Sequence, residues 1–235
     1  MTEIHEDISR ETVFLQTVAK ALGRDKALAN APQRNEVGPP TFWREQKFEN
    51  TQPLELFKAN LEALTGKVVI VRDGSEATNQ IKLWLKVLNA KSAILWDHPT
   101  LRKYIEPSLL GVKTAFWNNE KPRRELIAIA EQSDVGITWV DYAIGYTGTV
   151  ALFNGSTTGR SVSLLPPTHI AVMRKSDIVP TMSTVMRELL QRCGQGNLPS
   201  AVDFITGPSR TSDIEMDLSI GVHGPVRIWT IVIED

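Results

Sequence analysis

The chain has 235 residues, of which 42% are hydrophobic and 23% are charged, and its formal net charge is -1 at pH 7. These values are typical of a folded globular protein and exclude wholesale disorder. The near-neutral charge, without a lysine- or arginine-rich block, argues against a nucleic-acid partner, and apolar runs no longer than a strand predict no membrane span. The acidic N-terminus lacks the basic and apolar regions of a signal peptide, so we expect a cytoplasmic protein.

The cysteine content bears on redox chemistry. Cys193 is the single cysteine, so the chain can form neither an internal disulfide nor a cysteine-ligated iron–sulfur cluster, which typically takes about four thiolates. We therefore expect no cofactor in this chain. Cys193 precedes a glycine at the end of a helix-like stretch, and this pattern favours a packed or partly exposed helical cysteine over a nucleophile.

The N-terminal segment differs in character from the rest of the chain. Apolar residues at helical spacing predict a helix over residues 9–22. Residues 24–52 are polar and contain several prolines and isolated aromatics, which is typical of an extended arm rather than a domain. We predict an N-terminal helix and arm over residues 1–52 and one α/β domain over residues 53–235.

Helices and strands are predicted to alternate in residues 53–140. Pro53 is suited to the first turn of a helix, and Ser75 is a candidate N-cap for the next helix. The predicted elements are helix 53–64, strand 67–72, a helix after Ser75, strand 93–96, a partly helical segment 99–110, strand 112–117, helix 123–131 and strand 134–140. Such alternation predicts an α/β fold with a mainly parallel sheet and crossover helices.

The pattern changes after Asp141. Residues 143–153, 161–165 and 169–173 read as strands joined by turns, without a helix between them, which predicts locally antiparallel or bent structure. A helix over residues 180–192 and strands over 201–205 and 226–233 are predicted to complete the domain.

The first candidate site follows the strand at residues 202–205. Ser212 and Glu215 have the spacing of a capping box, so we predict a helix start there, with unpaired N–H groups facing an anion. An ordinary capped turn with a solvated arginine is the alternative. The predicted anion-binding residues are Gly207, Ser209, Arg210 and Thr211.

The second candidate site comprises Thr147, Gly148, Thr149 and the loop over residues 154–160, which ends at Arg160. A glycine within a strand indicates a bulge or a close backbone approach, and Arg160 is placed to meet an anion. A glycine-weakened hairpin remains the alternative.

Two histidines are candidates for chemistry. His223 lies in a glycine-containing turn and could act as acid, base or ligand, whereas His169 begins an apolar strand and is predicted to have a structural hydrogen-bonding role. Spacings typical of metal sites, nucleotide-binding loops and serine hydrolases are absent from the sequence. The alternative carboxylate bases are Asp213, Glu215 and Asp217.

Six short motifs in order resemble one known family. They lie at residues 134–138, 147–149, 159–166, 204–209, 212–216 and 221–225. Together they are similar to lactate-utilisation protein C, of the family named for its lactate-utilisation domain. One departure is Tyr146, which stands where many members carry an acidic residue.

The resemblance implies a fold, a role and partners. The implied fold is that of the sugar-phosphate isomerase, coenzyme A transferase and folate cyclo-ligase group. The implied role is oxidation of L-lactate to pyruvate together with two iron–sulfur lactate-utilisation proteins, which would carry the redox centres that a single cysteine cannot hold. Our own inference adds a pocket for a small anionic ligand, built from Arg160, Ser209, Arg210 and Thr211, with His223 as its acid or base.

Two alternatives to this role remain open. One is a stand-alone transferase- or ligase-like enzyme that acts on a phosphorylated, folate or coenzyme A ligand. The other is a non-catalytic scaffold that contacts its partners through the arm at residues 24–52.

Overall fold

The computed structural model describes residues 3–28, 30, 52–212 and 218–234. The chain divides into two units, Met1–Lys47 and Phe48–Asp235. In the first unit, helix α1 (Glu3–Ala21) confirms the predicted N-terminal helix. Most of the predicted arm lies outside the described residues.

The second unit alternates helices and strands as far as β4, then changes to closely spaced strands. Its helices are α2 (Pro53–Ala63), α3 (Gly74–Val87), α4 (Pro99–Tyr104), α5 (Arg123–Gln132), α6 (Ser161–Leu164) and α7 (Met182–Gly194). Short 3-10 turns lie at Pro107–Leu109, Gly145–Thr147 and Lys175–Asp177. Its strands are β1 (Lys67–Val71), β2 (Ser92–Trp96), β3 (Lys113–Trp117), β4 (Val135–Trp139), β5 (Tyr142–Ile144), β6 (Thr149–Asn154), β7 (Thr168–Arg174), β8 (Ile178–Val179), β9 (Ala201–Ile205), β10 (Arg210–Ser212), β11 (Leu218–Ile220) and β12 (Arg227–Ile233).

A six-stranded sheet forms the centre of this unit. Its order is β1-β12-β7-β4-β2-β3, and every neighbouring pair is parallel. Every residue of β4 is buried, because crossover helices cover a parallel sheet on both faces and central strands are therefore almost wholly apolar. The predicted α/β fold with a mainly parallel sheet is confirmed.

A smaller sheet is inserted between β4 and β7 and is completed by later strands. Its order is β8-β5-β6-β9, and β6 is antiparallel to both β5 and β9. The predicted antiparallel arrangement after Asp141 is confirmed.

The predicted strand at residues 161–165 is wrong, because Ser161–Leu164 form the short helix α6. Alternating serine and apolar residues fit a half-buried strand locally, but tertiary packing overrides this preference. Val162 and Ser163 are fully buried, and α6 packs on β4 and β7. The Ser163 hydroxyl donates to the Arg160 carbonyl at 3.0 Å, which closes the turn.

One predicted helix start needs correction, and another lies outside the described residues. Residues 210–212 form strand β10, which pairs antiparallel with β11. The helix predicted after the Ser212 cap, with Asp213, Glu215 and Asp217, lies outside the described residues. Helix α3 is capped by Asp73, whose carboxylate accepts from the Glu76 N–H at 2.9 Å, rather than by Ser75. Aspartate is a strong N-cap residue, and Glu76 follows it at the capping-box distance.

The direction of the chain connections reverses between β2 and β4. These strands are neighbours, but the chain leaves β2 towards β3 on one side and leaves β4 towards β7 on the other. In open α/β sheets, ligands bind at such a reversal of strand order. The chain that follows Trp96 and Trp139 is therefore the expected place for a ligand.

Candidate functional site

Two hydrogen bonds hold the loop at residues 155–160 at the carboxyl end of β2. The Asp97 N–H donates to the Thr157 carbonyl at 3.1 Å, and the buried Trp96 indole N–H donates to the Gly159 carbonyl at 2.9 Å. These bonds place the loop at the carboxyl end of β2, the edge of the sheet where α/β proteins bind ligands.

Beside this loop lies a cavity of about 550 Å³, here called the Arg160 cavity. Trp117, at the end of β3, and Asn154, at the end of β6, contribute to its wall. Three basic side chains also line it, namely Lys121, Arg123 and Arg160. The other polar lining residues are Asn118, Asn119, Ser156 and Ser200. Its volume is within the range of about 300–1,000 Å³ typical of small-molecule sites.

Arg160 is oriented by a buried carboxylate. Its Nε and Nη2 atoms each lie 2.8 Å from Oδ1 of Asp203. Asp203 is 8% exposed, whereas the Arg160 side chain is 56% exposed. The pair therefore anchors one side of the guanidinium in the protein and leaves the side chain accessible to solvent at the cavity.

Gly159 is required by the contact between this loop and Trp117. A Cβ atom at position 159 would lie 2.0 Å from Cε2 of the Trp117 indole, far inside van der Waals contact. The backbone can therefore approach the indole this closely only without a side chain. The sequence motif at Gly159 and Arg160 thus reflects both packing and placement of the cation.

A second group of predicted site residues packs against helix α2. The hydroxyls of Thr147 and Thr149 are hydrogen-bonded at 2.6 Å, and Thr149 is bonded to Thr206 at 2.6 Å. Gly148 has φ of 63°, and a Cβ there would lie 2.5 Å from the Leu61 backbone nitrogen. The close backbone approach predicted at Gly148 is confirmed, and it joins this segment to α2.

The segment that follows β9 reaches the C-terminal end of the same helix. A Cβ on Gly207, whose φ is 80°, would lie 3.0 Å from Cβ of Leu64. Nη2 of Arg210 donates to the Leu64 carbonyl at 2.8 Å and lies 3.3 Å from the Thr65 hydroxyl. The Arg210 side chain therefore satisfies a backbone carbonyl at the C-terminal end of α2.

Ser209 and His223 are brought together beside the antiparallel pair of β10 and β11. The His223 backbone N–H donates to the Ser209 hydroxyl at 3.3 Å, and Ser209 exchanges further backbone bonds with Gly221 and Pro225. His223 is exposed, while Thr211 lies in β10 opposite Ser219.

The structure does not bring Arg160 together with Arg210. Arg210 contacts the chain just before β1, at the amino end of that strand, while Arg160 lines the cavity at the carboxyl end of β3. β1 and β3 are the two edge strands of the six-stranded sheet, so they lie roughly 24 Å apart at about 4.8 Å per strand. A single pocket cannot include both arginines.

The sequence did not identify the cavity residues Trp117, Lys121 and Arg123, nor Asp203, which holds Arg160. Lys121 and Arg123 follow a predicted strand, and the carboxyl end of a parallel strand is itself a signal for ligand contacts. Asp203 stands as a charge inside an otherwise apolar strand, which is a signal that it has a partner.

Aromatic rings pack together at the carboxyl ends of β2 and β4. His98 stacks on Trp139 with ring centroids 6.2 Å apart, and Tyr104 stacks on the same indole at 5.7 Å. Burial lowers the pKa of His98. These rings were not singled out in the sequence because their contacts join separate strand ends.

His169 has the predicted hydrogen-bonding role inside the sheet. Its Nε2 lies 2.8 Å from the Thr138 hydroxyl, and complete burial lowers the pKa of its imidazole to about 3. The ring is therefore neutral near pH 7, and its bond ties β7 to β4.

Asp141, just after β4, is expected to make the stability of the protein depend on pH. Burial raises the pKa of its carboxyl from 3.8 to about 6, although the Phe153 N–H donates to it and Arg192 opposes the shift. Because the folded-state pKa is raised, its stabilising effect is full below about pH 4 and is lost as pH rises through about 6.

We expect Asp141→Asn to remove this loss, since an amide oxygen still accepts from Phe153. As the pH rises from 5 to 7.5, the free energy of unfolding of the variant relative to that of the wild type should rise by about 1 to 2 kcal/mol. This rise is less than a fully buried carboxyl would give. Denaturant unfolding at several pH values measures this gain. A constant difference between the two proteins across that range would contradict the assignment.

The described residues also bear on metals and membranes. Within residues 3–28, 30, 52–212 and 218–234, no group of three or more His, Cys, Asp and Glu side chains is placed to hold a metal ion. In the same part of the chain, no helix is both long and apolar enough to cross a membrane. Cys193 is exposed on α7, in agreement with the predicted helical position.

The sequence matches a known family and several named relatives. The model of the LUD domain matches residues 54–233. Lactate utilization protein C of Halalkalibacterium halodurans is 36% identical over 230 residues, which cover 97% of this chain and 99% of that protein. Proteins of the same name from Shouchella clausii and Bacillus subtilis are 34% and 31% identical, and each match covers 97% of this chain and at least 98% of the relative.

A solved structure supports the same relationship. The crystal structure of a DUF162 family protein from Deinococcus radiodurans has a TM-score of 0.55 and 25% sequence identity to this chain. The match covers 77% of this chain and 96% of that one. The resemblance drawn from the six motifs is confirmed: the chain belongs to the LUD domain family.

Proposed function

We propose that this protein is a component of L-lactate utilisation. The observation that carries the proposal is the match over nearly the whole chain to relatives named lactate utilization protein C, at up to 36% identity. A match of this extent includes the sheet, the inserted strands and the loop that bears Arg160.

We further propose that the protein acts in the oxidation of L-lactate to pyruvate, in the cytoplasm, with two iron–sulfur partner proteins. This oxidation removes a pair of electrons and a pair of protons from lactate, so it needs an electron acceptor. A single cysteine supports placing iron–sulfur acceptors on other chains.

The Arg160 cavity supports a direct part for this chain in handling a small anion. Arginine and lysine donors are suited to carboxylates, and three basic side chains line this one cavity. Arg160 is held in place by Asp203, so part of the ordering cost of binding is met before a ligand arrives.

Deletion of the gene in the source organism tests the role in lactate utilisation. We expect the deletion strain to fail to grow on L-lactate as sole carbon source and to grow normally on pyruvate. A plasmid copy of the wild-type gene should restore growth on lactate. Unaffected growth on lactate, in a strain without a paralogue, would contradict the proposal.

One observation favours a second candidate function, that of a stand-alone transferase- or ligase-like enzyme. The cavity volume of about 550 Å³ exceeds what a three-carbon acid fills, so a larger phosphorylated, folate or coenzyme A ligand has room. Thermal-shift measurements with such ligands test this candidate, because tight binding raises the apparent stability with the logarithm of ligand excess.

A further inference from the structure

β3 is an edge strand of the six-stranded sheet, and β2 is its one neighbour among the strands that the structure describes. The Lys113 N–H donates to the Lys91 carbonyl at 3.0 Å, on the side of β2. Because the direction of the backbone groups alternates along a parallel strand, the N–H and C=O groups of Thr114 and Phe116 point away from β2. Such outward groups are a template for pairing with another strand.

β3 lacks the features by which proteins commonly protect an edge strand from pairing. Those features include prolines, bulges and charged side chains along the strand. Residues 114–117 contain neither a proline nor a charged residue, and the parallel register of β3 with β2 is continuous. Thr114, Ala115 and Phe116 are partly exposed. The strand is therefore both regular and accessible to a partner.

The surface beside β3 has balanced charges. A cavity of about 560 Å³, here called the β3 groove, is lined by residues of β3 and α5. Its charged lining residues are Lys113, Lys121, Glu120 and Glu125. These charges cancel, so the groove does not favour a strongly acidic or strongly basic partner. A second copy of the same neutral surface is electrostatically compatible with it.

Antiparallel pairing with β3 of a second copy satisfies the outward backbone groups. With Ala115 on the two-fold axis, Thr114 of each copy lies opposite Phe116 of the other, and about four backbone hydrogen bonds form. A β-branched residue opposite an aromatic one is a favourable cross-strand pair. The two Lys113 residues then lie at opposite ends of the paired strands, about 14 Å apart along them. Their repulsion is therefore weak.

We propose that the β3 edge is the interface of a homodimer, in which two six-stranded sheets join into one. A two-fold interface uses the same surface on both copies and closes on itself, so it forms dimers rather than fibres. Asn118 and Lys121 line both the β3 groove and the Arg160 cavity, so the second copy lies next to that cavity. This inference does not rest on the proposed function.

Sedimentation of the purified full chain over a range of concentrations tests the inference. We expect a dimer with a dissociation constant of about 10 μM or lower. Thr114→Pro removes an outward N–H and leaves the bonds to β2 in place, since proline is tolerated on the free side of an edge strand. It should raise the dissociation constant at least about tenfold. Thr114→Val keeps the N–H and the branched side chain, so this matched control should leave the dimer unchanged.

A cross-linking experiment places the two-fold axis. Ala115→Cys, made together with Cys193→Ser, brings two thiols face to face across the axis. The Cα atoms of such a pair lie about 4.5 Å apart, within the range of a disulfide. Mild oxidation should therefore link most chains into covalent dimers. The wild type, whose Cys193 is exposed on α7, is the control and should form few. This test remains decisive if Thr114→Pro fails to fold.

Amide hydrogen exchange identifies the surface that dimerisation buries. The amides of Thr114 and Phe116 should exchange at least about tenfold more slowly above the dissociation constant than well below it. The outward amides of β1, the other edge strand, should exchange at the same rate at both concentrations.

Several outcomes would overturn the inference. A chain that is monomeric at every concentration would do so, and so would a dimer that persists in folded Thr114→Pro. Exchange at Thr114 and Phe116 that is independent of concentration would mean that any dimer uses another surface. Covalent dimers of Ala115→Cys no more abundant than those of the wild type would contradict the register. A monomeric chain whose β3 pairs with a strand of a different protein would assign the edge to that protein instead.

Discussion

Replacing Gly136 by alanine is expected to lower the free energy of unfolding by about 3 kcal/mol. Gly136 lies in β4 beneath α6, and a Cβ there would lie 1.8 Å from the carbonyl oxygen of Val162 and 2.9 Å from its carbonyl carbon. Both atoms are backbone, so no side-chain rotation relieves the overlap and α6 must move. Since α6 begins directly after Arg160, its displacement should also disturb the cavity. Denaturant unfolding of the purified variant measures the loss.

Gly194→Ala is the matched control for this prediction. Gly194 is the last residue of α7, and a Cβ there meets no atom within 4 Å. We expect a change of at most about 1 kcal/mol, in the stabilising direction, because alanine loses less backbone entropy than glycine on folding. Equal stability of Gly136→Ala and the wild type would show that β4 and α6 are not packed as described.

Arg160→Ala is expected to lower the free energy of unfolding by about 2 to 3 kcal/mol. The substitution leaves the nearly buried carboxylate of Asp203 without its cation, and an uncompensated buried charge is strongly destabilising. The expected loss of stability is smaller than that for breaking a fully buried ion pair, because Arg160 itself is partly solvated. The same variant should lose ligand binding in the cavity. Thermal or denaturant unfolding gives the first quantity and calorimetry gives the second.

The exposed pair of Lys121 and Glu125 supplies the comparison. Their side chains are 48% and 47% exposed, and surface ion pairs contribute little. Glu125→Gln should therefore change stability by no more than about 0.5 kcal/mol. A similar small change for Arg160→Ala would mean that Asp203 does not depend on Arg160, and the description of an anchored guanidinium would be wrong.

The parallel sheet was predictable because its signals are local and repeated. Continuous apolar runs such as that of β1, separated by helices with apolar residues at helical spacing, define strands and crossover connections. The close approach at Gly148 was also predictable, since a glycine weakens a strand and is typical of positions where another backbone comes near. Family membership rested on six short motifs in order, and the match to the LUD domain model confirms it.

The assembly of the cavity could not be predicted because its residues are joined only by the fold. Asp203 and Arg160 are 43 residues apart in sequence, and Trp117 meets Gly159 from a different strand end. Arg160 and Arg210 were predicted to share one pocket because both are arginines beside glycine-containing loops. Only the strand order shows that they belong to opposite edges of the sheet.

The local structure around α6 and β10 shows a second limit of sequence patterns. A stretch of four residues with alternating serine and apolar side chains fits a strand and a short helix equally well, and packing against Gly136 decides between them. Residues 210–212 were not predicted as a strand, yet they form β10 by pairing with β11. Short elements depend on tertiary contacts more than long ones do.

The most direct test of the central claim is the rate of pyruvate formation from L-lactate in cell extracts. Extracts of the wild-type strain and of a strain without this gene are compared, with the purified chain added back to the second. The proposal predicts that the rate is lost in the deletion extract and restored by the purified protein. An undiminished rate in the deletion extract would contradict a role for this chain in lactate oxidation.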